Sequence, residues 1–187
     1  MDFAVTLPKV SGFSGQVNVF QKTISDPILR FRSGSTTIFG NGDEGTLAGV
    51  ELEGKLDLPF GFSWDANYAF IQGDLEFVSF EDGATLNSTF PEQPSQIFNT
   101  SLSYSNEEFG LNANLSLNIV SSFVEQLPSN AGAPFLERQS SPKLDFSITK
   151  RFELKHADVL LGFSIDNILS SDAVSYTHLT LPTTPYV

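Results

Sequence analysis

The residues able to do chemistry are few, and they are scattered. Two histidines occur, His156 and His178, with no cysteine anywhere in the 187 residues. His156 follows Lys155 in what reads as a short turn, where a solvated side chain is expected and a general base is not. No HExxH helix, phosphate-binding glycine loop or nucleophile elbow is present. The acidic pairs Asp43-Glu44 and Glu107-Glu108 supply hard oxygen ligands of the type Ca²⁺ takes. Two carboxylates per site are too few, and solvated loop charge is the expectation. Trp64, Tyr68 and Phe70 could form a stacking platform for sugar, but they share one strand face with Phe62, which favours contact with lipid. The reading is therefore of a chain with no catalytic residues, no metal site and no cofactor.

Charge and composition narrow the partners. The net charge is −12, and the ten Lys and Arg are dispersed, with Lys150-Arg151 the single adjacent pair. Nucleic acid, which wants a basic stripe, is excluded. Charged residues make up 17 % of the chain and 18 residues are Phe. An aromatic-rich, charge-poor chain suits strands at a membrane. The longest apolar run, 159–163, is strand length and far short of the ~20 residues of a membrane helix. The N-terminus lacks the basic and apolar regions of a signal peptide. The expectation is that either the protein is not exported or its natural N-terminus lies elsewhere.

The elements that must carry these residues are strands. Phe62-Ser63-Trp64-Asp65-Ala66-Asn67-Tyr68-Ala69-Phe70 has an apolar or aromatic residue at every even position and Asp and Asn on the other parity. Alternate side chains of a strand point to opposite faces, so the segment has one apolar and one wet face. The cleanest alternation is 109–119: Phe109, Leu111, Ala113, Leu115, Leu117 and Ile119 against Gly110, Asn112, Asn114, Ser116 and Asn118. Further strands are predicted at 12–24, 28–39, 46–58, 62–70 running on to 77, 96–104, 144–149 and 158–169. Long loops are predicted at 80–95 and 122–139, and a turn at 151–157. Short and long connections alternate. The polar faces are Asn, Ser, Asp, Thr and Gln, as a hydrated lumen requires. Strands that face lipid on one side and water on the other look like this, with short turns at one end and long loops at the other.

The fold expected is all-β: an antiparallel meander of about nine strands, part of a larger transmembrane β-barrel, over residues 1–173. Phe62, Trp64, Tyr68, Phe70, Leu111, Leu115, Leu117, Phe146 and Phe163 are expected on the convex lipid side. Glu51, Glu53, Asp65, Asn67, Asn112, Asn114 and Asp145 are expected on the concave side. Residues 174–187 break the alternation and hold no Asp, Glu, Lys or Arg. They resemble the translation of a sequencing-library adapter. They are expected to be a non-native tail that does not continue the sheet.

Several ordered pieces carry a family resemblance. Gly49-Val50-Glu51-Leu52-Glu53 follows a loop, and Trp64-Asp65-Ala66-Asn67-Tyr68 opens the next strand. Pro91 and Pro94 precede Asn99-Thr100-Ser101-Leu102-Ser103-Tyr104. Leu144-Asp145-Phe146 begins the penultimate hairpin, and Ile165-Asp166-Asn167-Ile168-Leu169 lies near the end. Over roughly 12–169 the chain resembles the C-terminal part of the barrel of TonB-dependent outer-membrane receptors. The resemblance implies import of a scarce, bulky solute (an iron chelate, cobalamin-like compound, glycan or peptide) across the outer membrane of a Gram-negative bacterium. It implies outer-membrane lipid as surroundings and the TonB complex as energy source, acting through a plug domain that this chain lacks. The family does not fix substrate-contacting residues by motif, so none is carried over. The competing readings are another outer-membrane barrel, a porin or fatty-acid channel, and a secreted soluble β-protein that binds glycans or adheres.

Overall fold

The computed structural model describes residues 1–155 and 157–170. His156, His178 and the 174–187 tail lie outside the described residues. The strands are β1 (Asp2–Val10), β2 (Phe13–Ser25), β3 (Ile28–Ser33), β4 (Thr36–Asn41), β5 (Glu44–Asp57), β6 (Phe62–Val78), β7 (Thr85–Ser88), β8 (Gln96–Asn106), β9 (Leu111–Val120), β10 (Phe123–Pro128), β11 (Leu136–Arg138), β12 (Lys143–Leu154) and β13 (Ala157–Ile165). One short 3₁₀ turn, Pro59–Gly61, joins β5 to β6.

A nine-stranded antiparallel sheet forms the wall, in the order β1-β2-β5-β6-β8-β9-β12-β13, with β7 beside the far end of β6. The turns at 11–12, 58–61 and 107–110 fall at one end, as does the junction of β12 with β13. The excursions 26–43, 79–95 and 121–142 fall at the other.

The predicted facing of the side chains is observed. Directly opposed residues in antiparallel strands share a face. The registers Leu56↔Trp64↔Leu102↔Leu115↔Phe146↔Ile165 therefore run one apolar row across six strands. Val17↔Leu52↔Tyr68↔Phe98↔Ile119 is a second. On the opposite face the row Gln16↔Glu53↔Asn67↔Asn99↔Asn118↔Lys143 is wholly polar. The apolar face has nothing over it: Trp64 is 40 % exposed and Phe163 57 %.

The sequence reading needs correction at the long-connection end. Residues 28–39 are not one wall strand. They fold as the β3–β4 hairpin about Gly34, whose φ of 58° suits the first central position of a tight two-residue turn. The wall consequently passes directly from β2 to β5. The chain is also not a single meander. β10 pairs with β3 in parallel, Leu127 opposite Phe31, building a second sheet of order β11-β10-β3-β4. The loops predicted at 80–95 and 122–139 contain β7, β10 and β11.

Smaller differences have local causes. β1 was not predicted, because Pro8 and a register shift between Leu7 and Val10 interrupt its alternation. As an end strand of the sheet it tolerates the missing N–H. β12 runs on to Leu154 and β13 begins at Ala157, so strand occupies most of the predicted 151–157 turn. β13 stops at Ile165, where Asn167 turns back with φ 55° and donates its N–H to Asp145 Oδ1 at 2.7 Å.

The buried core also sits at the long-connection end. Leu29 and Phe31 of β3, Leu75 and Phe77 of β6, Phe90 and Leu127 are its fully enclosed members, with Ile24, Leu47, Leu86 and Val124 packed against them. Leu47, Leu75 and Phe77 share the parity of Glu53 and Asn67. The polar face of the wall thus turns apolar at this end, and the excursions fold over it. Gly45 makes room for them: a Cβ there would lie 2.3 Å from Phe90 Cζ.

Candidate functional site

Two features of the fold can meet a solute: the polar face of the wall and the body made by the three excursions.

The wall face is a lattice of neutral amides and hydroxyls with acidic points. Asn99 donates to Asn67 Oδ1 at 2.7 Å, and Asn118 in turn donates to Asn99 Oδ1. Asn18 donates to Glu51 Oε2 at 2.9 Å and Ser101 to Asp65 Oδ1 at 2.7 Å. Asn114 donates to Ser103 Oγ at 2.9 Å. Each side chain holds its neighbour across a strand pair, so the face is ordered and stays wettable. Period-2 spacing brings these residues together because each strand contributes one polar residue per register row.

The excursions are bolted to one another. Glu81 accepts hydrogen bonds from Ser33 Oγ and from Asn130 Nδ2, the latter at 2.9 Å, while its own N–H donates to Ser129 O at 2.8 Å. One residue therefore ties 79–95 to both other excursions. Its neighbour Asp82 accepts from Ser79 Oγ and from Ala131 N at 2.9 Å. These donors hold both carboxyls below their ordinary values, the Ser33 hydroxyl dominating at Glu81 and that of Ser79 at Asp82. Arg30 pairs with Glu92 at 3.0 Å, and the Gln126 amide oxygen, turned toward it, accepts from its Nε and Nη2 at 3.0 and 2.9 Å. The Glu92 N–H donates to Val124 O at 2.7 Å.

A cleft of about 440 Å³ opens where β6 leaves β8 and has not yet met β7, walled by 79–95 and 121–142. Four phenylalanines line it, Phe70, Phe90, Phe123 and Phe135, together with side-chain amides and hydroxyls. Sequence reading predicts long loops here and names no solute-contacting residue. The clustering depends on the β3–β10 pairing, which no local pattern announces.

The residues singled out as possible metal ligands do not converge. Glu107 and Glu108 lie in the turn between β8 and β9, at the opposite end from Asp43 and Glu44. Among the described residues no group of three or more His, Asp or Glu could hold a metal ion.

The wall, its two faces and its unequal ends define a segment of a large β-barrel. Residues 2–168 match the family described as TonB dependent receptor-like, beta-barrel, and the chain belongs to that family. Among solved structures it is similar to the copper transporter OprC, with a TM-score of 0.65 and 18 % identity. That similarity covers 90 % of this chain and 24 % of the other, and at this identity it speaks for the fold. The chain thus spans about a quarter of the solved structure it matches. No curated protein sequence matches it.

Proposed function

We propose that this chain is a wall and outer-loop segment of a receptor that imports a scarce, bulky solute across the outer membrane of a Gram-negative bacterium, driven through TonB. The observation that carries the reading is the pairing of an apolar face with a polar amide face across the strands of the wall. The membership of the barrel family agrees with it. Lipid covers the apolar face, where the bilayer supplies the burial that the chain does not. The polar face lines the path. The three interlocked excursions form the external mouth, where solute is first met, and the short turns face the periplasm. Coupling to TonB runs through a plug domain outside this chain, and the step is movement of solute with no bond made or broken.

This chain contains no cysteine, so in a full-length protein cleared of any cysteine elsewhere, single cysteines placed in it are clean probes. Thr37→Cys in β4 should react with a membrane-impermeant maleimide on intact cells, and Glu107→Cys only after the outer membrane is permeabilised. Labelling of Glu107→Cys alone on intact cells would invert the orientation. Solute accumulation that persists without TonB would refute the energised step.

A further inference from the structure

We propose that the free edge of β4 is a docking edge for an extended strand of the same receptor. That strand comes from a connection of the barrel wall outside this chain and joins the second sheet by β-pairing. The proposal rests on the receptor reading, because the remaining wall supplies the strand.

The hydrogen-bond register shows what the edge offers. β4 ends the sheet order β11-β10-β3-β4, so among the described residues only β3 pairs with it. Antiparallel strands exchange ladder bonds at alternate pairs. Around the two-residue turn at Gly34-Ser35 those pairs are Ser33↔Thr36, Phe31↔Ile38 and Leu29↔Gly40. The series continues one step further, where Gly42 donates its N–H to Pro27 O at 2.8 Å. Thr37, Phe39 and Asn41 therefore aim their N–H and C=O groups away from β3, at the open edge. They form a row of donors and acceptors with the spacing that another strand presents.

Nothing in the strand blunts this edge. Natural edge strands are guarded by Lys, by Pro, by a bulge or by shortness. Thr36–Asn41 is six residues long, carries no charge and no Pro, and keeps an unbroken register with β3. β11, at the other end of the sheet, is three residues long, holds Glu137 and Arg138, and lies opposite a register shift. The side chains beside the β4 edge are apolar as well. On one face of the hairpin Phe39 is 67 % exposed and Ile28 78 %, next to a cleft of about 540 Å³ against Pro91. A strand with apolar residues at alternate positions covers Phe39 and pairs the backbone row at once. Tethering selects the occupant. This chain spans 24 % of the solved transporter it matches, so the rest of such a barrel carries further connections at the same end. A segment held in the same polypeptide acts at an effective concentration on the order of millimolar, which a free protein or a second receptor does not reach.

The test is amide hydrogen exchange at residue resolution on the purified full-length receptor in detergent. The Thr37 and Phe39 amides should exchange within about tenfold of those of Ile38 and Gly40, which bond to β3. Thr37→Pro removes one outward donor and leaves the β3 ladder whole. It should speed exchange at Phe39 about tenfold or more while Gly40 stays protected. The photo-reactive p-benzoylphenylalanine in place of Phe39 should crosslink, within one polypeptide, to a barrel segment outside residues 1–187. Retained heat-modifiable mobility on gels shows that the variants still form the barrel. Fast exchange at Thr37 and Phe39 beside protected Ile38 and Gly40 overturns the proposal, as does exchange at Phe39 indifferent to Thr37→Pro. A crosslink to the plug, to a second receptor or to another protein overturns it too, as does the lack of any crosslink. A free edge alongside TonB-dependent uptake leaves the receptor reading intact. A covered edge without energised uptake defeats the receptor reading and leaves the docking edge.

Discussion

Trp64 donates its indole N–H to Thr100 Oγ1 across β6 and β8 at 2.8 Å, and Thr100 in turn donates its hydroxyl to Asp65 O at 2.9 Å. Thr100 occupies the apolar face, opposite Ala66 and Leu117. A polar residue in that position is explained by the indole, whose N–H would otherwise meet hydrocarbon without a partner. Thr100→Val should therefore destabilise the barrel by about 1–3 kcal/mol, while Thr100→Ser should cost little. Urea unfolding in liposomes measures both, and equal losses would show that the hydroxyl is irrelevant.

The two faces of β9 should respond oppositely to charge. Leu115→Arg places a guanidinium in lipid and should cost ~2–4 kcal/mol, whereas the neighbouring Asn114→Arg should be nearly neutral. The same unfolding assay distinguishes them. A larger loss at Asn114 would mean the register is slipped by one residue.

Glu81 should govern the order of the excursions and not that of the wall. Glu81→Gln should speed amide exchange across β3–β4 and 129–131 while exchange in β8 and β9 stays unchanged. Glu81 and Asp82 are held below ordinary values of 4.5 and 3.8. Depressed carboxyls stabilise above the unfolded value, and the contribution fades as pH falls through the lower folded value. The excursions should thus be fully ordered at pH 7 and should loosen in acid below about pH 4. Exchange that is flat from pH 7 to pH 3, after correction for intrinsic rates, would contradict this.

Gly45→Ala should strain the core. The added carbon meets the Phe90 ring and sits 3.2 Å from Asp74 O, so overpacking of ~1–3 kcal/mol is expected. The double variant Gly45→Ala/Phe90→Ala should recover part of that loss relative to the sum of the two single variants. Strict additivity would show that the ring and Gly45 are not in contact.

Removing 122–139 should weaken solute binding while leaving strand pairing in the wall intact. It should also make 79–95 protease-sensitive, because Leu127 leaves the core that Phe77 and Phe90 share. Reversing charge at Glu107, in a turn at the other end, should leave affinity unchanged. Affinity that survives the deletion but falls with Glu107→Lys would place recognition at the wrong end.

How far the sequence carries the structure depends on which interactions are local. Facing in β6, β9 and β12 follows from period-2 alternation and the registers agree row by row. The β3–β4 hairpin was missed although Ser33-Gly34-Ser35 signals a turn, because the alternation of 28–39 continues across it. β10 was missed because Phe123–Pro128 shows no alternation. Its second half, 126–128, is buried where Leu127 and Pro128 pair with β3, and so short a strand in that setting has no polar parity to read. The cleft rings could not be grouped without that pairing, since Phe70, Phe90 and Phe123 belong to three separate segments.

The parallel pairing of β10 with β3 also dictates an order of assembly. Neighbouring wall strands meet through a short turn or across a single excursion, but Phe31 and Leu127 belong to segments separated by all of β4 through β9. Contacts so distant in sequence close only after the intervening chain has been brought into register, because the entropy of a long open loop opposes them. The mouth is therefore the last part to form. On the proposed reading, a wall still threading into the membrane would have no assembled mouth, and solute capture would begin only once insertion is complete.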